Sequence, residues 1–366
     1  HYALLGTLIL NTSQSLLLGL LATLLIGIYS IKLADWNAVY VEKRAGIRGI
    51  CITTISINGL MPFAEVMDWV FERIPGLRSI EYNPEAVAQR RIAQAEEQEP
   101  APQPGAASGG EATEPSPRAI GPDLPPGKSD RLRKLLELLS EPMIIGVAVG
   151  LFLGVLAGYN VKKLLELSVH IAAVMFLLPP CGALIGKGIE PISLRLKEVI
   201  TTRFKGRHDL RVGMDSGPLL QNRSILVTGL LLMPIALGLA FVIPGNRTLP
   251  LGDLPNLISV SAITVLVLRN NVFRAVIAGI PVVATYMLIA SHFAELYTRM
   301  AREVGFDFEG YRGPITAFTD GGHQVRYLFF YIFQGNTLAL LSIPLVLLLM
   351  WFTRHRSKQL EAEQRT

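Results

Sequence analysis

The sequence predicts an all-α integral membrane protein, a multi-span helical bundle interrupted by re-entrant broken segments. Three observations predict it. Half of the 366 residues are apolar and only 17% are charged, whereas a soluble domain carries about 25% charged residues. Apolar runs that approach the roughly 20 residues needed to cross the hydrocarbon core recur along the chain. Between them lie two stretches too apolar for loops, yet too rich in Gly, Pro and polar side chains for lipid-facing spans.

In chain order, spans are expected over 3–31, 142–160, 164–185, 224–244, 272–293 and 337–353, with a shorter apolar segment over 254–268. The semi-polar stretches are "GICITTISINGLMPFAEVMDWVF" (49–71) and "GPITAFTDGGHQVRYLFFYIFQGN" (313–336). An unsatisfied amide in lipid costs several kcal/mol, so broken backbone at membrane depth survives only under a cover of protein or in a water-filled cavity. Such segments tend to line binding sites.

From residue 81 to 133 the composition changes to Pro, Ala, Gly, Ser and Glu without apolar periodicity, which is expected to be a disordered cytoplasmic linker. Its core, 95–128, has almost nothing to bury and reads as an insertion or a docking tether. The chain thus divides into an N-terminal membrane portion (1–80), the linker (81–133), the main membrane portion (134–353) and a basic tail (354–366).

Lys187, Arg195, Lys197, Arg203, Lys205, Arg207, Arg211 and Arg223 crowd 186–223, whereas 245–253 holds only Arg247. The positive-inside rule therefore puts 186–223 in the cytoplasm, with the linker, the "RNNVFR" turn and the C-terminal tail on the same side. Arg269 and Arg274 are expected at the inner interface. "EPISLRLKEVITTRF" (190–204) has a rough apolar face that fits a helix lying on the inner leaflet. The net charge of +5 reflects this topology; no nucleic-acid partner is indicated. Cys51 and Cys181 lack disulfide or zinc spacing and are expected to be buried thiols. The chain opens at His1 on an apolar run without a basic n-region or cleavage site, so no signal peptide is expected and the start reads as that of a fragment or processed chain.

Two polar motifs stand out. In "GMDSGPLLQN" (213–222), Asp215 sits between glycines before Gly217, Pro218, Gln221 and Asn222. This is either an unwound turn whose carboxylate and amides bond a hydroxylated solute, or a helix N-terminus with an Asp or Ser cap and an early proline. In "TDGGHQ" (319–324), Asp320, His323 and Gln324 surround a Gly321–Gly322 turn. A charge in a membrane segment costs a few kcal/mol and usually faces a cavity, a partner or substrate. Neutral hydrogen-bonding groups nearby suit a polyhydroxylated ligand better than a cation. Arg326 is expected to be structural, pairing with Asp320. "VIPGNRTLPLGDLP" (242–255) reads as a Pro/Gly-rich loop. No Walker loop, GxSxG, HExxH or dinucleotide fingerprint is present, and no metal, cofactor or catalytic nucleophile is expected.

Several strings, in order, resemble one family. "EPMIIGVAVGLFLGVLAGYNVKKLLELSVHIAAVMFLLP", "GMDSGPLL", "LMPIALGLAFVIPGNRTLPLGDLP", "RNNVFRAVIAG" and "TDGGHQ" are similar to the membrane C component (EIIC) of the galactitol-type sugar phosphotransferase system (PTS). The resemblance implies a permease that binds a polyol outside and releases it to a cytoplasmic B component, itself charged by an A component, whose phosphocysteine phosphorylates the solute. It further implies an all-helical homodimer built from inverted repeats, of which this chain covers the later spans, in a bacterial cell membrane. Asp215, Gln221, Asn222, Asp320, His323 and Gln324 would then bind substrate, with Gly217, Pro218, Gly321 and Gly322 as turn residues. Two alternatives come from other classes: a partial membrane subunit that binds a partner chain without transport, and a proton-coupled transporter resting on Asp215, Asp320 and His323.

Overall fold

The computed structural model describes residues 1–78, 80–87, 142–203, 211–250, 253–308, 310 and 312–365. The expected tether over 95–128, and most of the 81–133 linker, lie outside the described residues.

Helices α1 (Tyr2–Ser13) and α2 (Leu16–Ala45) occupy the first apolar run. The single span expected over 3–31 is therefore two helices, and the cause is "NTSQS" at 11–15. Gln14 turns left-handed (φ 57°), and the Ser15 hydroxyl accepts the Leu18 N–H to cap α2. The helices fold back on each other where Gly6 meets Gly19: a Cβ at Gly19 would stand 2.7 Å from the Gly6 carbonyl oxygen. Outward, α2 exposes Leu16, Leu17, Leu20, Leu24 and Ile31, an apolar stripe that suits lipid.

The chain then breaks into strand β1 (Ile50–Ile52), the one-turn helix α3 (Ile55–Asn58), α4 (Met61–Arg73) and the short turn α5 (Pro75–Arg78). After the linker, α6 (Pro142–Leu156) and α7 (Val161–Arg203) pack against each other. At 43 residues α7 is about 64 Å long by the 1.5 Å helical rise. The expected span at 164–185 and the stretch 190–204 are thus one helix, not a span followed by a leaflet-bound helix. Cys51 is buried in β1, but Cys181 is exposed, contrary to expectation. On an apolar helix in a membrane, lipid can shield a thiol that protein does not.

Strand β2 (Val212–Met214) pairs parallel with β1, Ile50 opposite Val212 and Ile52 opposite Met214. A 3-10 turn (Gly217–Gln221) leads into α8 (Arg223–Val242), then α9 (Asn256–Val267) and α10 (Val272–Glu303). The C-terminal part comprises α11 (Phe318–Gly321), α12 (Gln324–Phe333), α13 (Thr337–Leu341) and α14 (Ile343–Arg365). Among the described residues four stretches are long and apolar enough to span a membrane: Leu16–Ala45, Arg223–Val242, Val272–Glu303 and Thr337–Glu363. The largest buried cluster joins α2, α4, α8, α9 and α10.

Charged residues lock the remaining joints. Glu65, Asp68 and Glu72 recur at helical spacing along α4. Arg356 of α14 binds Glu65 at 3.2 Å and also pairs with Asp68. Arg269, left-handed at φ 63°, binds Asp68 and Glu72, while buried Arg274 binds Glu72 at 2.8 Å. The arginines expected simply to mark an interface are thus ion-paired to α4. The expected basic tail is the end of α14, and its Ser357 is buried against the Trp36 carbonyl.

Candidate functional site

The break after β1 is held open by polar side chains of α2. Ser30 and Asn37 lie seven residues apart, on one helical face, and both are fully buried. The Asn37 amide pairs with Ile52 in both directions, donating to its carbonyl at 2.8 Å and accepting its N–H at 3.0 Å. Asn37 thus acts as a one-residue third strand beside β1. Asn58 adds a second donor to the Ile52 carbonyl at 2.8 Å. Ser30 and Tyr2 hydroxyls both donate to the Thr53 carbonyl, at 2.6 and 2.7 Å, and Tyr29 donates to Gly59 at 3.1 Å. The backbone freed by breaking the helix is thereby satisfied, as burial at membrane depth requires.

With its backbone so held, the turn presents Thr54. Its hydroxyl donates to Asp215 Oδ1 at 2.9 Å, and the same oxygen accepts the Ser216 N–H at 2.8 Å. Asp215 is exposed. Ser216 begins the 3-10 turn, with buried Pro218 in its first turn. Gly217 has open space where a Cβ would stand, so nothing in its surroundings demands glycine. Asn222 is a buried cap: its Oδ1 accepts the Ile225 N–H, and its amide donates to the Arg44 carbonyl and Asn270 Oδ1. Those bonds use the amide that the sequence suggested for a solute. Gln221 is half-buried at the end of the turn.

The second break is anchored by Asp253, in the stretch read from sequence only as a loop. Asp253 Oδ2 accepts the Thr319 N–H and hydroxyl at 2.8 and 3.0 Å, fixing the start of α11. Gly322 seats this break on α10: a Cβ there would fall 2.0 Å from the Tyr286 carbonyl oxygen. Gly321 is nearly as confined, 2.5 Å from Thr316 Oγ1. His323 is fully buried and both its nitrogens are engaged. Nε2–H donates to the Ile55 carbonyl at 3.1 Å, and Nδ1 accepts the Arg326 N–H at 3.3 Å to cap α12. It is a strut between α3 and α12, with no nitrogen left for a solute or a proton relay. Gln324 donates to Val282 and Thr285 of α10, at 3.0 and 2.7 Å.

Contrary to the expectation from sequence, Asp320 and Arg326 do not pair directly. The His1 imidazole stands between them, its Nε2 3.2 Å from Asp320 Oδ1 and its Nδ1 3.3 Å from Arg326 Nη1. A neutral ring with hydrogen on Nε2 serves both contacts, donating to the carboxylate and accepting from the guanidinium.

The three broken segments therefore converge. Consecutive residues of the first, Thr54 and Ile55, bond Asp215 and His323 of the other two. Among the described residues no group of three or more His, Cys, Asp or Glu side chains is placed to hold a metal ion.

The family described as PTS system sugar-specific permease component, EIIC-GAT, matches residues 1–310. This chain belongs to that family. Among its curated relatives, "Putative permease IIC component" of Escherichia coli (strain K12) is 30% identical over 88% of this chain and 63% of its own length. The "PTS system galactitol-specific EIIC component" of the same strain is 26% identical over 92% of this chain and 64% of its own. The chain thus spans just under two thirds of the relatives it matches. No solved structure matches it.

Proposed function

We propose that this PTS permease chain translocates a linear polyol of the galactitol type and passes it to a cytoplasmic B component for phosphorylation, in a bacterial cell membrane. The observation that carries the reading is the convergence of the breaks on Thr54 and Ile55. Thr54 bonds Asp215, and the next residue, Ile55, bonds His323, three residues after Asp320 in the chain. The carboxylates of Asp215 and Asp320 are acceptors matched to the hydrogens of hydroxyl groups. The galactitol-specific name of a relative supports the solute class. The absence from the sequence of a nucleophile motif accords with phosphorylation by a partner, and the basic loop count supports a cytoplasmic C-terminus. A homodimer and an A component belong to the same reading.

Uptake of labelled galactitol by cells producing the chain, with and without A and B components, tests it. Phosphorylated galactitol should accumulate only when the B component is present. Uptake of unmodified polyol that ignores the B component, or no uptake in either case, overturns the proposal.

A further inference from the structure

Buried polar atoms without a hydrogen-bond partner concentrate at one place. Of the seven such side-chain atoms among the described residues, four belong to Tyr286, Gln324 and Arg326, which surround the second break. Two of the four, Nε and Nη2, are on Arg326 itself. Arg326 is 1% exposed and ranks among the largest fully buried side chains. A guanidinium so enclosed is costly unless its donors are used.

The two idle atoms are not an arbitrary pair. Nε–H and the neighbouring Nη2–H form the side-on edge of the guanidinium, two parallel donors that grip two oxygens at once. The remaining Nη1 is held by His1, which in turn holds Asp320, and the Tyr297 hydroxyl, which donates to the Gly321 carbonyl, stands beside the guanidinium. Exposure falls in order along this path, from 60% for the Asp320 side chain to 18% for His1 and 1% for Arg326. Polar atoms thus lead from the surface to the fork.

Asp320 already faces Arg326 through the His1 ring, so the fork does not need a second carboxylate, and two neutral oxygens leave the local charge as it is. We infer that Arg326 is a solute-binding residue whose Nε–H/Nη2–H fork takes two adjacent hydroxyl oxygens of the polyol, a vicinal diol. The inference rests on the polyol reading above and deepens it. Asp215 and Asp320 accept hydroxyl hydrogens, and Arg326 supplies the donors that an acceptor-rich site otherwise lacks.

Calorimetric titration of the purified chain with galactitol and its monodeoxy analogues tests this. Removing either of two adjacent hydroxyls should weaken binding about tenfold or more, because each leaves a buried donor unpaired. Removing a hydroxyl distant from that pair should matter less. In Arg326→Lys, which keeps the charge but loses the fork, galactitol should bind about tenfold more weakly, and the discrimination against the two adjacent-hydroxyl analogues should vanish. Arg326→Lys that binds and discriminates as the parent does overturns the inference. So does a parent whose losses are uniform or confined to one hydroxyl, a result that needs no variant to fold. Galactonate binding more than about tenfold tighter than galactitol would assign the fork to a carboxylate and overturn the diol assignment. If the parent binds no galactitol at all, the polyol reading itself fails and this inference with it; if galactitol binds and only the Arg326 results fail, the polyol reading stands alone.

Discussion

The one-residue third strand made by Asn37 gives the sharpest test of how the first break is stabilised. Replacing Asn37 with Ala leaves the Ile52 N–H without its 3.0 Å acceptor, but the Ile52 carbonyl keeps Asn58 at 2.8 Å. One orphaned buried donor costs about 1–3 kcal/mol, and the small cavity left by the truncated amide adds to it. Asn58→Ala alone likewise leaves the Ile52 carbonyl with its Asn37 donor. The double variant removes both donors at once and orphans that carbonyl, which neither single change does. The cycle should therefore be non-additive by about 1–3 kcal/mol on the destabilising side, whereas independent sites add to within about 0.5 kcal/mol. Reversible unfolding in mixed detergent micelles, read by the fluorescence of the adjacent Trp36, measures all four corners. Additivity within that margin, or an Asn37→Ala cost below about 0.5 kcal/mol, would show that the amide does not carry the broken backbone.

Four further outcomes are expected. Gly322→Ala places a methyl 2.0 Å from the Tyr286 carbonyl, a backbone atom that cannot rotate away, so destabilisation should reach or exceed the usual overpacking cost of about 1–3 kcal/mol; an unchanged melting temperature would mean that α11 is seated differently. Asp215→Asn should weaken galactitol binding about tenfold without altering unfolding, Asp320→Asn should weaken binding similarly and also lower stability because it removes the charge that balances buried Arg326, and parent-like binding by both in calorimetry places the site elsewhere. Arg274 donates to Glu72 and, with Arg269 and Arg78 nearby, holds its carboxyl below the ordinary value of 4.5; the stabilisation is complete above that value and is lost as pH falls through the lowered one, so Glu72→Gln should flatten this acid limb of the stability profile, and an identical limb refutes the assignment. A cysteine replacing exposed Lys358, in a Cys181→Ser background, should resist an impermeant thiol reagent applied outside intact cells, and labelling would invert the proposed orientation.

The spanning helices were legible because lipid admits little except long apolar runs, and α8 and α10 begin within a residue of where the hydropathy puts them. The division of 3–31 was not, although "NTSQS" carries the signal: five polar residues inside a long apolar run vanish in an average over twenty but suffice for a turn and a serine cap. The merger of 164–185 and 190–204 into α7 failed for the opposite reason. Prolines at 179, 180 and 191 invite a break in the sequence, yet the helix continues through them.

At the site, what could be read was the expense of a group, not its employment. Asp215 and Asp320 announced themselves as charges in apolar surroundings, but Ser30 and Asn37 are ordinary residues for a spanning helix and Thr54 for a turn, and only the fold reveals that they cradle a break. Caps and solute ligands draw on the same side chains, so Asn222 and His323 looked like ligands until their partners, Ile225 and Ile55, were in place. Asp253 reversed the error, passing for a loop residue while fixing α11 from 66 positions away. Arg326 is the most instructive case. Six residues from Asp320, it invited a direct ion pair, which would have consumed the guanidinium and made it structural. With His1 interposed, the pair is balanced in charge but not consumed in hydrogen bonds. Charge neutrality and donor satisfaction are separate requirements in a low-dielectric interior, and a residue that meets the first while failing the second is positioned to bind something neutral.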